Sequence, residues 1–466
     1  MRAKYDIVRR VDQEEAGASQ EMLQLLETFL APLLYVLDQL LDKRLVETLV
    51  QSCVAIIRFR SYKQALWLSE LGAYLPAKAG QSSRGPAGTK RIGNLIRSLK
   101  WSVGSIDRFL LEEADKEITK LKQAGKRILC TWDESVWEKP ESEKLEGLCG
   151  VVSSKAKRLH RWKKGVTFNF PPKKAITVTG MEWTAALITG MEGVVKVAVM
   201  NWWTTKGEYA TKLRTQQEVL LRRVVRQWGD QLLHVFDQGA SSGPWLQVLE
   251  DLRVNFVIRW KKGHEFIDAS GVKKKLWEIG RGKKYLAHQV IEHLGSGYKM
   301  PCDLWWAPLR HDACRQQLYL VKARVPKGVM YIVTNMTIKS EEQAWEVFFA
   351  YRRRWQIELA FRYNKSELAM ESPRVFGLEN RLKLLGIVTL IYAFLLDLLF
   401  SDHQRLIEKV LRLKCHRTGS RCQEALVPLY RLRWALSRLW DDCRPTLGLL
   451  LAPTPGTLQA LATRRC

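Results

Sequence analysis

From residue 127 the chain passes through four short apolar segments in succession, and only then begins to alternate strand-like with helix-like stretches. The segments are "RILCTWD" (127–133), "AITVTG" (175–180), "WTAALITG" (183–190) and "VVKVAVMNWW" (194–203). Each is a run rich in β-branched or aromatic residues closed by polar ones, the pattern of a strand. An amphipathic helix follows, "GEYATKLRTQQEVLLRRVVRQWG", then the strand "QLLHVFD" (231–237), the helix "GPWLQVLEDL" and the strand "NFVIRW". Strands first and alternation afterwards predict an α/β core on a mixed sheet.

The flanks differ in texture. Residues 1–125 carry apolar residues at helical spacing, broken at "AKAGQSSRGPAGT". The helices around that break, with Lys90, Arg91, Arg97 and Lys100 on the second, fit either a DNA-docking unit of helix-turn-helix type or an ordinary basic helix over a flexible loop. Residues 126–260 hold the α/β core, and 261–336 form a β-rich unit with "KKYLAHQVI", "DLWWAPLR", "QLYLVKARV" and "VMYIVTN" as strands. A helix is predicted over 337–375, opened by a capping box of Ser340 and Gln343 and stopped at Ser372-Pro373. Residues 376–466 return to helix.

Charge narrows the partner. With 75 Lys and Arg against 48 Asp and Glu in 466 residues, the net charge of +27 exceeds what solubility needs and favours a polyanion, nucleic acid before an anionic membrane. The best candidate span, Leu384 to Phe400, has only 13 apolar residues before Asp397, which predicts a buried helix and no membrane. "MRAKYDIVRRVDQEE" has no apolar leader core, and the nine cysteines form no C-x-x-C pair, so reduced thiols in a cytoplasmic protein are expected.

Asp133 closes "RILCTWD" and Asp237 closes "QLLHVFD", so each is expected at a strand end, where open α/β sheets bind ligands. In "YRRRWQIELAFRYNK", a continuous helix places Tyr351, Arg354, Glu358 and Lys365 at about 0°, 300°, 340° and 320°, on one face. The plain alternative is a solvated i,i+4 salt bridge between Arg354 and Glu358. Three carboxylates gathered from Asp133, Asp237 and Glu358 would need cations to offset their repulsion, and hard oxygen ligands suit two Mg2+ or Mn2+ ions acting on a phosphoryl group. Arg354 and Lys365 would then grip phosphates, and Tyr351 would donate a hydrogen bond to a phosphate or stack on a base.

Asp133, Asp237 and Glu358 in this order, with Tyr351-x2-Arg354-x3-Glu358-x6-Lys365, resemble the DDE transposases of bacterial insertion sequences, in the subgroup with that Tyr-Arg-Glu-Lys signature. The resemblance implies an RNase H-like catalytic core with a mostly β insertion, flanked by N-terminal and C-terminal helical regions. It implies an enzyme that binds double-stranded DNA at the terminal inverted repeats of its element, cleaves it by two-metal hydrolysis, passes through a hairpin, and joins the 3′-ends to target DNA. It further implies an N-terminal region that binds the element ends, a homodimer holding paired ends, a bacterial nucleoid-associated location, and a phosphate contact from Arg259.

Two positions depart from the common pattern. Gln238-Gly239 stand where many relatives have Arg and Gly, and Glu134-Ser135 where Asp-Thr is frequent. The basic run of residues 155–174, with Trp162 and Phe168, fits a nucleic-acid groove or a solvated loop, and Trp305 and Trp306 are candidates for base stacking or core packing. The rival functions are an RNase H-like nuclease or resolvase without strand transfer, and a non-catalytic DNA-binding derivative of a transposase.

Overall fold

The structure is a computed structural model. It describes residues 2–59, 66–75, 85–142, 144–155, 175–293, 297–415 and 429–447, and side chains from residue 13 onward. The basic stretch 156–174, with Trp162 and Phe168, lies outside the described residues. The chain divides into two compact units, one of residues 1–106 and 383–466, the other of residues 107–382.

The first unit is helical. It contains α1 (Arg2–Asp38), α2 (Lys43–Arg58), α3 (Leu68–Tyr74) and α4 (Gly85–Arg97). Asp42 starts α2 by accepting from the amides of Arg44 and Leu45 at 3.0 and 3.2 Å, which satisfies two donors that a helix start leaves open. Helices α3 and α4 cross so closely that a Cβ on Gly88 would meet the Gly72 carbonyl oxygen at 2.0 Å, so the crossing requires glycine. On α4, Lys90, Arg97 and Lys100 just beyond it are exposed, while Arg91 is half-buried and donates to Gln51.

Among the described residues, the second unit is built on a sheet of 12 strands. After α5 (Val103–Gln123) come β1 (Leu129–Glu138), β2 (Cys149–Val152), β3 (Thr177–Thr189), β4 (Val195–Trp203), α6 (Leu213–Trp228), β5 (Leu233–Phe236), α7 (Gly243–Asp251) and β6 (Asn255–Arg259). In the sheet they lie in the order β4-β3-β1-β5-β6, with β3 antiparallel to β1 and β4, and with β5 and β6 parallel to β1. An antiparallel meander followed by two parallel strands, each reached through a helix, makes this an α/β fold with an RNase H-like core. The segments 175–180 and 183–190 join into the single strand β3, because Gly180, Met181 and Glu182 stay in register with β1 and carry the ladder across the polar gap.

The sheet continues past β6. Strands β7 (Glu265–Ile267), β8 (Lys273–Lys275), β9 (Ala287–Glu292), β10 (Lys299–His311), β11 (Cys314–Val325) and β12 (Gly328–Thr334), with the short α8 (Leu276–Ile279), extend it through the antiparallel pair β12-β6. Two apolar clusters cover the sheet, one including Trp132, Phe236, Trp245 and Phe256, the other Val235, Val257, Phe348 and Tyr351.

Next come α9 (Glu341–Arg353) and α10 (Trp355–Ser366), then α11 (Leu378–Leu399), α12 (Gln404–Lys414) and α13 (Leu429–Asp442). The continuous helix expected over 337–375 is therefore two helices that break at Arg354 and stop at Ser366. No proline or glycine stands at the break; Arg354 N bonds Tyr351 O and Ile357 N bonds Arg354 O, and these i to i+3 bonds tighten the chain. Ser340 does cap α9, accepting from Gln343 N at 3.4 Å, but Gln343 Oε1 reaches the amide of Lys339 instead of Ser340. Helix α11 is long and apolar enough to cross a membrane, and its residues are mostly buried within the protein.

Candidate active site

The register of the parallel strands builds the site. Leu129, Cys130 and Thr131 pair with Leu233, His234 and Val235, and the next strand continues with Phe236 opposite Ile258. Two residues on, the same register sets Asp133 beside Asp237, and Asp237 beside Arg259 at the end of β6. One row across three adjacent strands thus carries two carboxylates and a guanidinium. Asp237 lies one residue past the end of β5. Asp133 does not end its strand: β1 runs on to Glu138 against β3, with Asp133 opposite Ala185, and only its pairing with β5 has ceased. The two strands part there and open a crevice between the carboxylates.

The strands beneath are anchored by an aromatic and polar pair. Trp132 donates through Nε1 to His234 Nδ1 at 3.0 Å, joining β1 to β5 one residue below Asp133. Burial lowers the His234 imidazole to about 3, so it stays neutral and fit to accept.

The helix break delivers the third carboxylate. Arg354 Nη1 lies 2.7 Å from Asp133 Oδ2, Nη2 bonds Glu358 Oε1, and Nε stands 3.9 Å from Asp237 Oδ1. The Arg354 side chain is 10% exposed, so one nearly buried guanidinium serves three carboxylates. Tyr351 donates its hydroxyl to Asp237 Oδ1 at 3.3 Å and is itself bonded by Arg259. Asp133, Asp237, Glu358, Tyr351, Arg354 and Arg259 are therefore brought together. Lys365 stands apart from them and pairs with Glu371 at 3.4 Å. The i to i+3 bonds at the break wind the chain by about 120° per residue instead of about 100°, so positions beyond it drift by roughly 20° per tightened residue from the single face of a continuous helix.

Electrostatics follow the geometry. Burial pushes Asp133 up to about 7 against the pull of Arg354, and Glu134 and Asp237 add to the rise. Burial alone would lower Arg354, but Asp133, Tyr351, Asp237 and Glu358 outweigh it and hold the guanidinium charged. Burial also raises the Tyr351 hydroxyl, which keeps it a donor.

Sequence reasoning missed a second layer. Glu134 is a further carboxylate at the crevice, raised by burial and bonded by Gln217 Nε2. Arg214, one turn earlier on α6, donates to Gln217 Oε1 and to Gly239 O, both at 2.7 Å, and lies over the Trp245 ring. The start of α6 thus ties the residue after Asp133 to the turn after Asp237. The amphipathic pattern of α6 predicts the helix but gives no sign of this link.

The donor set is of the type a hard divalent ion takes: carboxylates supplied by two strands and one helix, with Arg354 between them. As the side chains stand, no three His, Cys, Asp or Glu among the described residues close on one point. Arg354 occupies the space between them. Of the two tryptophans, Trp305 is buried in one apolar cluster and Trp306 is half-buried against the other.

With the geometry in place, sequence comparison can be set beside it. Residues 210–394 match the family model described as transposase DDE domain. The match supports a DDE transposase; it takes in Asp237, Arg259, Tyr351, Arg354, Glu358 and Lys365 and begins after Asp133. No curated protein matches the chain. Among solved structures, the cryo-EM structure of a piggyBac transposase synaptic complex with hairpin DNA aligns over 90% of this chain and 80% of that one, at 12% identity and a TM-score of 0.39. A likeness that distant decides nothing about the DDE domain.

Proposed function

We propose that the protein is a metal-dependent DDE transposase of a bacterial insertion sequence, of the Tyr-Arg-Glu-Lys subgroup. It binds the terminal inverted repeats of its element as double-stranded DNA, cleaves them, and joins the 3′-ends to target DNA by cut-and-paste, through a hairpin. The observation that carries this reading is the row Asp133, Asp237 and Arg259 across β1, β5 and β6, closed by Glu358 from α10. Carboxylates in such a cluster serve a cation, and a phosphodiester is the substrate on which two such cations act together.

Asp133, Asp237 and Glu358 would hold two Mg2+ or Mn2+ ions. When bound, these supply Lewis-acid stabilisation of the attacking and leaving oxygens. The chain's own groups do the rest. Arg354 and Arg259 hold phosphate oxygens, Arg354 by its forked donors, and the Tyr351 hydroxyl donates a hydrogen bond beside Asp237. Lys365 meets the same strand farther along as a point charge. Residues 1–125 bind the element ends, 126–260 and 337–375 form the catalytic core around the insertion 261–336, and two chains pair the ends as a homodimer in the bacterial cytoplasm.

The test uses a labelled duplex made from the DNA that flanks the coding sequence, with and without Mg2+. Mg2+-dependent nicking and joining of a pre-cut end are expected, and both should fall at least about a thousandfold in Glu358→Gln, several kcal/mol of transition-state stabilisation, while binding persists. Nicking without joining would mean a nuclease. Binding without Mg2+-dependent nicking in the wild type would mean a non-catalytic derivative.

A further inference from the structure

Arg354 is unlike the other basic residues of the signature because its surroundings are those of a metal ion. Its guanidinium reaches Asp133 at 2.7 Å, Glu358 and Asp237, one from each element that supplies a carboxylate. It is nearly buried, and its Nε has no hydrogen-bond partner, only the carboxylate 3.9 Å away. A side chain that merely neutralised Glu358 one turn along the helix would need no contact with β1 or β5.

Counting charge sharpens the point. When all three are ionised the carboxylates carry three negative charges, and Arg354 together with Arg259, which reaches the same site through Tyr351, offsets two. One divalent ion already balances what is left, and a second would leave the cluster strongly positive unless an anion came with it or Arg354 left. Glu134 does not change this count, because Arg214 and Gln217 compensate it on the α6 side.

We infer that Arg354 is the resident cation of the DNA-free site: it fills one of the two cation positions, so that the free protein takes up a single divalent ion and a second enters only as Arg354 turns away from the carboxylates. This rests on the metal-dependent reading above. Arg354 then has two occupations, carboxylates in the free protein and phosphate in the loaded one. The phosphate that draws it away also supplies the negative charge that the second ion needs. The arrangement would keep the enzyme from assembling a full metal pair before DNA is present.

The experiment is Mn2+ uptake by the full chain without DNA, followed by calorimetry and by the paramagnetic resonance of free Mn2+. The wild type should take one Mn2+ per chain. Arg354→Gln should take two, or bind the first at least tenfold more tightly, and Arg354→Lys should lie between. A wild type that takes two ions, or an Arg354→Gln that gains neither affinity nor stoichiometry, overturns the inference while leaving the metal reading intact. No uptake by wild type or variant at millimolar Mn2+ overturns both. Should Arg354→Gln fail to fold, the wild type still answers through arginine side-chain NMR. The Arg354 guanidinium N–H resonances should move from carboxylate-bonded to phosphate-bonded positions when Mg2+ and a short duplex are added together, and keep their carboxylate-bonded positions with Mg2+ alone. Resonances that keep those positions in both, or that leave them with Mg2+ alone, overturn it.

Discussion

Helix α10 meets β1 at both of its ends, and the two meetings are opposite in charge balance. At the first, three carboxylates share the single guanidinium of Arg354. At the other, Lys365 and Lys155 pair with Glu371 at 3.4 and 2.8 Å, Lys139 pairs with Glu141 at 2.8 Å, and the Glu138 carboxylate is bonded by Ser153, Ser154 and the amide of Lys155. Acids and bases are matched there. The residues Asp133 and Glu138 that mark these two places on β1 are roughly 16 Å apart, from the rise of a strand. Buried ion pairs alone do not identify a site; what separates the two ends is an uncompensated negative charge held in place by the fold. Only the first end has a reason to bind a cation.

The largest effect should come from removing a carboxylate at the unbalanced end. Asp237→Asn keeps the shape of the side chain and its contact with the Tyr351 hydroxyl but withdraws one charge. Cleavage of the flanking-DNA duplex should drop at least about a thousandfold, measured as single-turnover nicking in Mg2+. A loss below about tenfold would mean that the row across β1, β5 and β6 is a structural network like the one at the far end.

The same imbalance should be visible as pH-dependent stability. Asp133 sits at about 7 in the folded protein against 3.8 in the unfolded chain, so the folded state keeps its proton longer. Its contribution is complete below about pH 4 and is lost as the pH rises through about 7. Asp133→Asn mimics the protonated form and should stabilise the metal-free protein above pH 7, by at most about 4 kcal/mol from a shift of about three units. Glu27 in the helical unit is likewise raised to about 7 by burial, so the variant should flatten the fall with pH only in part, and Glu27→Gln should remove a further share. Urea titrations at pH 4, 6 and 8 measure both. An unchanged profile in Asp133→Asn would mean that Arg354 compensates Asp133 fully.

The placement of α10 depends on packing as well as on charge. Phe361 meets Trp183 of β3 edge-on at 4.6 Å between ring centres, and both are buried. Phe361→Ala should cost about 3 kcal/mol by urea titration. It should also lower Mn2+ affinity, because Glu358 lies one turn earlier on the same helix. Loss of stability with unchanged Mn2+ affinity would mean that the break at Arg354, and not the seat of α10, positions Glu358.

The sequence was most legible where local rules decide. Alternation of strand and helix gave the mixed α/β sheet, and apolar runs ending in polar residues marked β5 and β6 with Asp237 and Arg259 at their ends. What it could not give was register. That Asp133, Asp237 and Arg259 fall in one row follows from pairing between strands about 100 and 20 residues apart, and no window of sequence holds that pairing. The break at Arg354 was hidden for a different reason. Its residues are ordinary helix formers, and it is tertiary demand, the reach to Asp133, that coincides with the tightened turn. Arg214 and Gln217 were invisible for both reasons, since each reads as an unremarkable polar residue on an amphipathic helix, and Glu134 stood out only as a departure from the common pattern, with nothing to show its link to them.

The smallest effect should come from the balanced end. Lys365→Met removes one of two lysines on Glu371, which keeps Lys155 and the amide of Glu138 at 3.3 Å. A buried carboxylate left with no partner would cost several kcal/mol, but one that keeps an ammonium and an amide should lose only about 1 kcal/mol. Cleavage should fall by no more than about tenfold, and the loss should appear in DNA affinity at moderate salt, with the salt slope reduced by about one unit if Lys365 neutralises a phosphate. An unchanged slope would confine Lys365 to holding Glu371. A loss as deep as that of Asp237→Asn would erase the contrast between the two ends, and would require Lys365 to leave Glu371 and reach the reacting phosphate.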